Sequence, residues 1–449
     1  MNSLGLSSLI SAAVSVSIFL IMTFSSTHAN HSYGVAPVIL AAIFSISIYS
    51  INMDIINKSP HPLRISFSLY FSLFFSLPGF LHMLWYGFPF YGMTYSKHSA
   101  ESAAIISLLC VVIIYISYYI SWNRAYLKND ITHDNFNIYG RISAPTCLLF
   151  IAVSLASATI VGWPLILVER GDRESLSIGG LVLSTLARYS SFVAFLYASL
   201  WRGPALRKLM LIAICFLCFL ATNNPLSIPR FQLAAYAFSF FLVHSRFGRL
   251  HRALFTLSVA FGLLTIFPAV SILSRGNREL SEFFGGGFVS NYASTGDFDG
   301  FQSVINVVEY IDATGFKLGV NILSAILAFI PRSLWPNKSP GTGIDAAEYI
   351  GFGFTNISAP LPAELWTDFG YLGILFGGLI VGALLCWGDT GFSRPNLSIH
   401  RKVLLSVIFG FIIILMRGSL VAVISPIGLA ILLLFLFSTI SRISISSKF

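Results

Sequence analysis

Charged side chains are scarce in this sequence. Asp, Glu, Lys and Arg make up 10% of the 449 residues, whereas hydrophobic residues make up 56% and the mean hydropathy is +0.80. A water-soluble protein of this size cannot hide so large an apolar fraction from water. The scarcity of charge therefore excludes a soluble protein and predicts a polytopic membrane protein.

Cysteine and the common catalytic signatures are also scarce or missing. All five cysteines fall in hydrophobic runs, so we expect no disulfide; they are Cys110, Cys147, Cys215, Cys218 and Cys386. The sequence contains no Walker motif, no HExxH and no GxSxG. It therefore carries no signature of a P-loop hydrolase, a zinc protease or a serine hydrolase, and we expect neither a metal nor a cofactor.

Long apolar runs dominate what is present. A membrane-spanning helix needs about 20 apolar residues, and we predict an all-α protein with about twelve such helices. The predicted spans are 4–24, 35–53, 65–85, 102–121, 142–163, 179–200, 208–222, 231–245, 253–272, 366–387, 403–418 and 424–441.

Basic residues indicate the orientation of these spans. The net charge is +9, and in a membrane protein such an excess usually lies in cytoplasmic loops; we do not expect nucleic acid as a partner. With both termini in the cytoplasm, the inside segments hold sixteen of the 27 Lys and Arg residues. These are Lys58, Arg64, Arg124, Lys128, Arg141, Arg202, Arg207, Lys208, Arg246, Arg249, Arg252, Arg394, Arg401, Lys402, Arg442 and Lys448.

One long outer loop divides the chain. It runs over 273–365 and separates the first nine spans (1–272) from the last three (366–449). Its apolar stretch 316–330 is short for a span, so we predict a re-entrant or interfacial segment that ends at Pro331. Before that stretch, apolar residues at helical spacing predict an amphipathic helix on the membrane surface; they are Phe301, Val304, Ile305, Val308 and Ile311.

Positive charge on the outer face needs an explanation, because it disfavours insertion. A guanidinium group fits phosphate oxygens two at a time, so arginines that converge there suit a lipid-linked diphosphate. The candidate residues are Arg230, Arg275, Arg278, Arg332, Lys338 and Arg417. Other roles stay open: Arg275 and Arg278 precede acids at i+4, and Arg230 and Arg417 lie where an arginine can snorkel to headgroups.

Four acids on the outer side are candidates for chemistry. Glu364 and Asp368 lie four residues apart at the predicted start of the tenth span, where one could act as a general base or both could complement the helix dipole. The DxD motif at Asp297–Asp299 is typical of metal-dependent sugar transferases, but in an outer loop we interpret it as a turn and helix cap.

The order of these features resembles one known family. The stretch "FIPRSLWPNKSPGTG" (329–343) followed by "PLPAELWTDFGYLGILFGG" (360–378) is similar to the segment that Wzy-type O-antigen polymerases carry before and into their next span. The arginine-x10-glycine spacing of that family also occurs here, from Arg275 to Gly286 and from Arg332 to Gly343. The similarity is sharpest over about 230–417.

The resemblance implies a bacterial inner-membrane glycosyltransferase with a fold related to the lipid-dependent (GT-C-like) enzymes. Its substrate would be an oligosaccharide repeat unit linked to undecaprenyl diphosphate at the periplasmic face, and a separate chain-length regulator protein would be a partner. The six basic residues named above would neutralise the leaving diphosphate. Glu364 or Asp368 would assist the acceptor hydroxyl.

Two other functions fit the same layout. O-antigen ligases share it but carry a histidine in the large outer loop, and residues 273–365 contain none. A lipid-linked oligosaccharide flippase or another transporter would suit twelve spans, but transporters place ionisable groups in mid-membrane and have short loops. The sequence therefore favours the polymerase over the ligase and the transporter.

Overall fold

The computed structural model shows a bundle of helices. It describes residues 3–27, 31–56, 61–90, 93–127, 137–139, 142–167, 178–225, 227–244, 249–266, 296–328, 330, 332–355, 357–394 and 396–446.

In the described part of the chain, eleven helices precede residue 267. They are α1 (Ser3–Thr27), α2 (Ala36–Ile56), α3 (Pro62–Leu69), α4 (Leu77–Leu81), α5 (Lys97–Leu127), α6 (Ala144–Val161), α7 (Trp163–Leu167), α8 (Ile178–Leu200), α9 (Ala205–Thr222), α10 (Arg230–His244) and α11 (Arg249–Phe261). Three π-helical segments extend α3, α4 and α11; they are Tyr70–Ser76, His82–Tyr86 and Gly262–Ile266.

Eight helices follow residue 295. They are α12 (Gly300–Thr314), α13 (Val320–Ile326), α14 (Thr342–Ile350), α15 (Leu361–Phe369), α16 (Tyr371–Phe392), α17 (Ile399–Gly410), α18 (Ile412–Arg417) and α19 (Leu420–Ser446). Two short strands, β1 (Asn137–Tyr139) and β2 (Asn396–Ser398), pair in parallel and join the two halves of the chain.

Membrane-spanning character is confirmed for most of the predicted spans. Within the described residues, nine helical segments are long and apolar enough to cross a membrane, and two shorter apolar helices coincide with the predicted spans 231–245 and 424–441. The remaining predicted span, 253–272, begins in α11 and runs beyond the described residues. The total of twelve stays a prediction.

The helices pack around two apolar cores. The first joins α2, α3, α5, α12, α15 and α16, and the second joins α6, α8, α9, α10, α17 and α19. Helix α5 packs tightly against α16, where glycine permits the approach. A Cβ at Gly382 would lie 2.7 Å from Cβ of Ser117, and the Ser117 hydroxyl donates to the Leu379 carbonyl at 2.6 Å.

A buried ion pair lies near the end of α16 that is remote from α15. Arg64 donates to Asp54, and both side chains are almost completely buried. Asp389 accepts the backbone N–H of Leu63 at 2.9 Å and the Tyr118 hydroxyl at 2.8 Å. Arg64 was expected in a cytoplasmic loop, but it lies inside α3, where Asp54 compensates the cost of burying its charge.

Helix α12 exists as predicted, but the water-exposed polar face expected of it is wrong, and its position relative to the membrane stays a prediction. Its polar residues Gln302 and Asn306 are fully buried. The Tyr95 hydroxyl donates to Asn306 at 2.6 Å and accepts from Gln302 at 2.9 Å. Internal partners thus replace water for the polar face, and the helix packs inside the bundle.

The apolar stretch 316–330 contains only one short helix, α13. Leu323 and Ile326 on this helix are about half exposed. The nearby Phe316 is also about half exposed, and Leu318 is more exposed. This exposed apolar surface is compatible with contact to lipid, so a re-entrant or interfacial position stays a prediction. Pro331, its predicted end, lies outside the described residues.

Candidate functional site

Arg417 lies at a break between two helices. Helix α18 ends at this residue, Gly418 is extended, and α19 begins at Leu420. The guanidinium donates to the Asp299 carboxylate at 2.9 Å and to the Gly296 carbonyl at 3.1 Å. Its central carbon stands 4.2 Å from the centre of the Phe231 ring, a cation–π contact. Acid, carbonyl and ring together fix the direction of the charge.

Asp299 is the partner that sequence analysis missed. It precedes α12 as the expected helix cap, yet its carboxylate is directed elsewhere. Besides Arg417 it accepts the backbone N–H of Ser358 at 3.1 Å and the Ser303 hydroxyl at 3.2 Å. Only 1% of the residue is exposed, and a carboxylate so deeply buried requires such partners.

Glu364 reaches the same helix break from another side. It lies in the first turn of α15, where Pro362 helps to begin the helix as expected. Its Oε2 accepts the backbone N–H of Leu420 at 3.2 Å. The hydroxyls of Thr342 and Ser419 also face the carboxyl group. Glu364 therefore bonds the backbone three residues after Arg417, at the far side of the same helix break.

The environment of Glu364 favours the protonated acid. Burial raises the pKa of this carboxyl to about 7, and the nearby Asp368 adds to the increase, while Thr342, Leu420 and Ser419 oppose it. A carboxyl that ionises near neutral pH has the proton affinity that a general base requires. Of the two candidate acids, Glu364 has the properties that the chemistry needs.

Asp368 has a different structural setting. It was expected to lie with Glu364, on one helical face, at the start of the tenth span. Both residues instead lie on the separate helix α15, which Gly370 at φ 58° divides from α16. The Asp368 carboxylate accepts the backbone N–H groups of Asn321 at 3.2 Å and Ile322 at 2.9 Å. It thus stabilises the beginning of α13.

Lys338 stabilises the other end of α13. Its ammonium group donates to the carbonyls of Leu327, Ala328 and Ile330 at 3.3, 2.7 and 2.9 Å. The residue is only 9% exposed, and burial lowers its pKa. An ammonium with three donors and three carbonyl partners is fully engaged, so the structure shows a helix-terminating role for a residue expected to bind phosphate.

Arg332 does not join Arg417. It lies exposed in a turn that precedes α14, and its charge acts on Asp345 and Lys338. Gly343, which ends the arginine-x10-glycine spacing, is buried: a Cβ there would lie 2.8 Å from the Ile357 carbonyl oxygen. Its lack of a side chain therefore allows the start of α14 to approach the chain just before Ser358.

The remaining basic candidates are only partly described. Arg230 is the first residue of α10, beside Phe231, which supports Arg417; the Arg230 side chain lies outside the described part. Arg275 and Arg278 lie wholly outside the described residues. The structure therefore places the backbone of one further candidate, Arg230, near Arg417.

Metal-binding potential is limited in the described part of the chain. No group of three or more His, Cys, Asp or Glu side chains there is arranged to hold a metal ion. In the DxD motif, Asp299 already holds a guanidinium group. The donor set thus fits a bound cationic side chain better than a divalent ion.

The arrangement combines two chemical functions at one helix break. A fixed guanidinium can stabilise negative charge that develops on an oxygen, and a carboxylate can remove a proton from a hydroxyl group. The break itself leaves backbone groups beside both. No protein-family model, curated protein or solved structure matches this chain, so its function has to be argued from these residues.

Proposed function

We propose that this protein polymerises oligosaccharide repeat units carried on undecaprenyl diphosphate, at the periplasmic face of a bacterial inner membrane. The observation that carries the proposal is that the buried acid Glu364 accepts the backbone N–H of Leu420, three residues after Arg417, whose guanidinium is held by Asp299. The likeness of residues 329–378 to Wzy-type polymerases supports it, as does the set of apolar helices. In this proposal the chain has about twelve spans and a fold related to the lipid-dependent glycosyltransferases.

The reaction joins an acceptor sugar to an activated donor. The acceptor hydroxyl oxygen forms a bond with the anomeric carbon at the reducing end of the growing chain. The bond from that carbon to the diphosphate oxygen breaks, and its electron pair remains on the diphosphate. The proton of the hydroxyl passes to Glu364. The proposed reaction uses no oxidant, reductant or metal.

Arg417 stabilises the leaving diphosphate. Its side chain is 12% exposed, and its Nη2 donates to both Asp299 and Gly296, which fixes the charge in place. Preorganised charge of this kind lowers the barrier because it needs no rearrangement when negative charge develops. Arg230, Arg275 and Arg278 supply further positive charge from the outer side.

Glu364 accepts the proton from the acceptor hydroxyl. The acceptor takes the place that the Ser419 hydroxyl occupies beside the carboxyl group. A carboxyl of pKa about 7 is ionised in enough molecules at neutral pH to act, and it is basic enough to take the proton. The polyprenyl tails of donor and acceptor lie along the exposed apolar faces of the helices.

The test is a gel of surface lipopolysaccharide from a strain that lacks the gene, complemented with wild type or variants. Loss of the ladder, with core bearing a single repeat unit, supports the polymerase, because flipping and ligation continue. Arg417→Ala and Glu364→Gln should reproduce that pattern at matched protein levels, whereas the exposed-site variant Lys97→Ala should restore the ladder.

Two other results would overturn the proposal. Bare core with long polymer on the lipid carrier would indicate a ligase. Bare core with single repeats trapped on the cytoplasmic leaflet would indicate a flippase. In either case Arg417 and Asp299 would be a structural ion pair rather than part of a transferase site.

A further inference from the structure

One side of α14 combines an exposed aromatic ring with charges of both signs. Tyr349 is 49% exposed, and its ring centre lies 5.7 Å from that of the buried Tyr310. The ammonium group of Lys317 stands 4.9 Å above the Tyr310 ring. The buried Tyr310 ring thus packs against the exposed Tyr349 ring, and Lys317 packs on the buried ring.

Charged groups surround this aromatic pair. Asp345 is half-buried on α14, and Lys317 and Arg332 act on it as opposite charges, while the exposed Glu348 acts as a like charge. Burial raises the pKa of Asp345 despite the two cations. The surface therefore offers hydrogen-bond donors and acceptors close to one another, which is typical of a site for a ligand rich in hydroxyl groups.

The same side of α14 leads from the exposed ring to the candidate site, where Thr342 and Glu364 are themselves buried. Thr342, Asp345 and Tyr349 are spaced i, i+3 and i+7, so they follow one side of α14. Thr342 faces the carboxyl group of Glu364. The stripe runs about 10 Å along the helix, from the acid to the exposed ring. An extended ligand whose end lies at Glu364 would continue along it.

We propose that this stripe of α14, with Lys317 and Arg332 beside it, is a saccharide subsite that holds the acceptor oligosaccharide with its terminal hydroxyl at Glu364. The inference rests on the proposed function. The apolar face of a sugar ring packs on Tyr349. The sugar hydroxyls donate to Asp345 and Glu348 and accept from Lys317 and Arg332.

Arg332 acquires a specific role in this arrangement. In this arrangement it binds sugar, or an acidic substituent of sugar, rather than the diphosphate, because its charge acts on Asp345 of the stripe. It lies exposed in a turn between α13 and α14.

The test compares Tyr349→Ala with two controls. Tyr349→Phe keeps the ring, and Tyr371→Ala removes a ring that is 59% exposed outside the stripe. The probe is the oligosaccharide repeat unit released by mild acid from the host's own lipid-linked pool. Its binding to the purified full-length protein is measured by saturation-transfer NMR and titration. Polymerisation is measured against the concentration of the lipid-linked acceptor.

We expect Tyr349→Ala to raise the dissociation constant and the acceptor KM about tenfold with little change in kcat, the loss typical of one aromatic contact. Tyr349→Phe and Tyr371→Ala should remain near wild type. Equal binding by wild type and Tyr349→Ala, in a strain whose ladder depends on the gene, would overturn the subsite and leave the proposed function standing.

A separate result identifies failure of the proposed function. If the deletion strain keeps its ladder, the polymerase proposal fails. Tyr349-dependent binding of the free oligosaccharide by the purified protein would still support a saccharide site, and absence of such binding would overturn both.

Discussion

The guanidinium of Arg417 and the carboxylate of Asp299 lie 2.9 Å apart, although 118 residues separate them in the chain. One belongs to the helix break before α19, and the other precedes α12. The pair therefore ties the loop that contains α12 to the last membrane helices. Its strength determines where the positive charge of Arg417 is directed.

Asp299→Asn should lower the thermal midpoint and abolish polymer. The amide leaves a largely buried guanidinium without its charge partner, a change that typically costs about 3–5 kcal/mol. The double variant Asp299→Asn/Arg417→Gln should regain much of the midpoint without regaining polymer. The measurements are thermal unfolding in detergent and the lipopolysaccharide ladder. Asp312→Asn, at an exposed acid on α12, is the control, and a ladder from the double variant would contradict a role in transfer.

Glu364 should impose opposite pH dependences on activity and stability. Burial raises the pKa of its carboxyl from 4.5 to about 7. Transfer needs the ionised base, so its rate should rise with pH through about 7. The folded protein holds the proton more tightly than the unfolded chain, so stability should fall as pH rises from about 4.5 to about 7 and stay lower above that range.

Glu364→Gln should remove both dependences and slow transfer by about 10²- to 10⁴-fold. The measurements are initial rates with lipid-linked repeats and thermal midpoints, each between pH 5 and 9. A variant that loses activity but keeps the pH-dependent midpoint of wild type would assign that titration to another group.

Arg64→Leu should destabilise the protein without a direct effect on transfer. Asp54 would remain buried without its partner, which typically costs about 3–5 kcal/mol. The double variant Asp54→Leu/Arg64→Leu should recover part of the loss, because two apolar side chains replace two charges. Thermal unfolding in detergent measures this. A double variant less stable than both single variants would show that the ion pair itself is indispensable.

Gly382→Ala should separate α5 from α16. An added Cβ would meet Ser117 at 2.7 Å and the Tyr118 nitrogen at 3.0 Å, and backbone atoms cannot move aside cheaply. Gly428→Ala on α19 is the matched control, since a Cβ there meets nothing within 4 Å. We expect a lower thermal midpoint, by roughly 1–3 kcal/mol in stability, for the first variant only. Equal midpoints would contradict this close packing.

Lys338→Gln should loosen the turn after α13. The shorter amide cannot reach three carbonyls, and each buried polar group left unsatisfied costs about 1–3 kcal/mol. We expect faster tryptic cleavage at the neighbouring, exposed Arg332. Lys97→Gln, at a lysine whose side chain is 63% exposed, is the control. Unchanged cleavage together with a weaker affinity for lipid-linked diphosphate would favour phosphate binding by Lys338.

The long apolar helices could be predicted because their signal is local. The runs that became α5 and α16 contain few polar residues, so their existence follows from hydropathy alone. The position of α12 could not be predicted in the same way. Its Gln302 and Asn306 have the spacing of a face exposed to water, and their burial depends on distant partners, the Tyr95 hydroxyl and the Phe90 backbone.

The candidate site was predicted in part for the same reason. Arg417 and Glu364 attract attention because charge is rare in such a chain. Asp299 does not, because its partner lies in another segment and its own motif is typical of a turn. The separation of Glu364 and Asp368 from α16 depends on Gly370 at φ 58°, a backbone state that many glycines in the sequence could adopt.

The five cysteines have a practical consequence. Each thiol is free and buried, with an exposure of 7% or less. A membrane-impermeant maleimide should therefore leave the native chain unlabelled, so no cysteine has to be removed beforehand. A single new cysteine at exposed Ser333, or at exposed Ala205 where α9 begins, would then report by its labelling in intact cells which side of the membrane each segment faces. Because these thiols are buried and do not react, the wild-type chain can serve as the unlabelled background for mapping its own membrane topology.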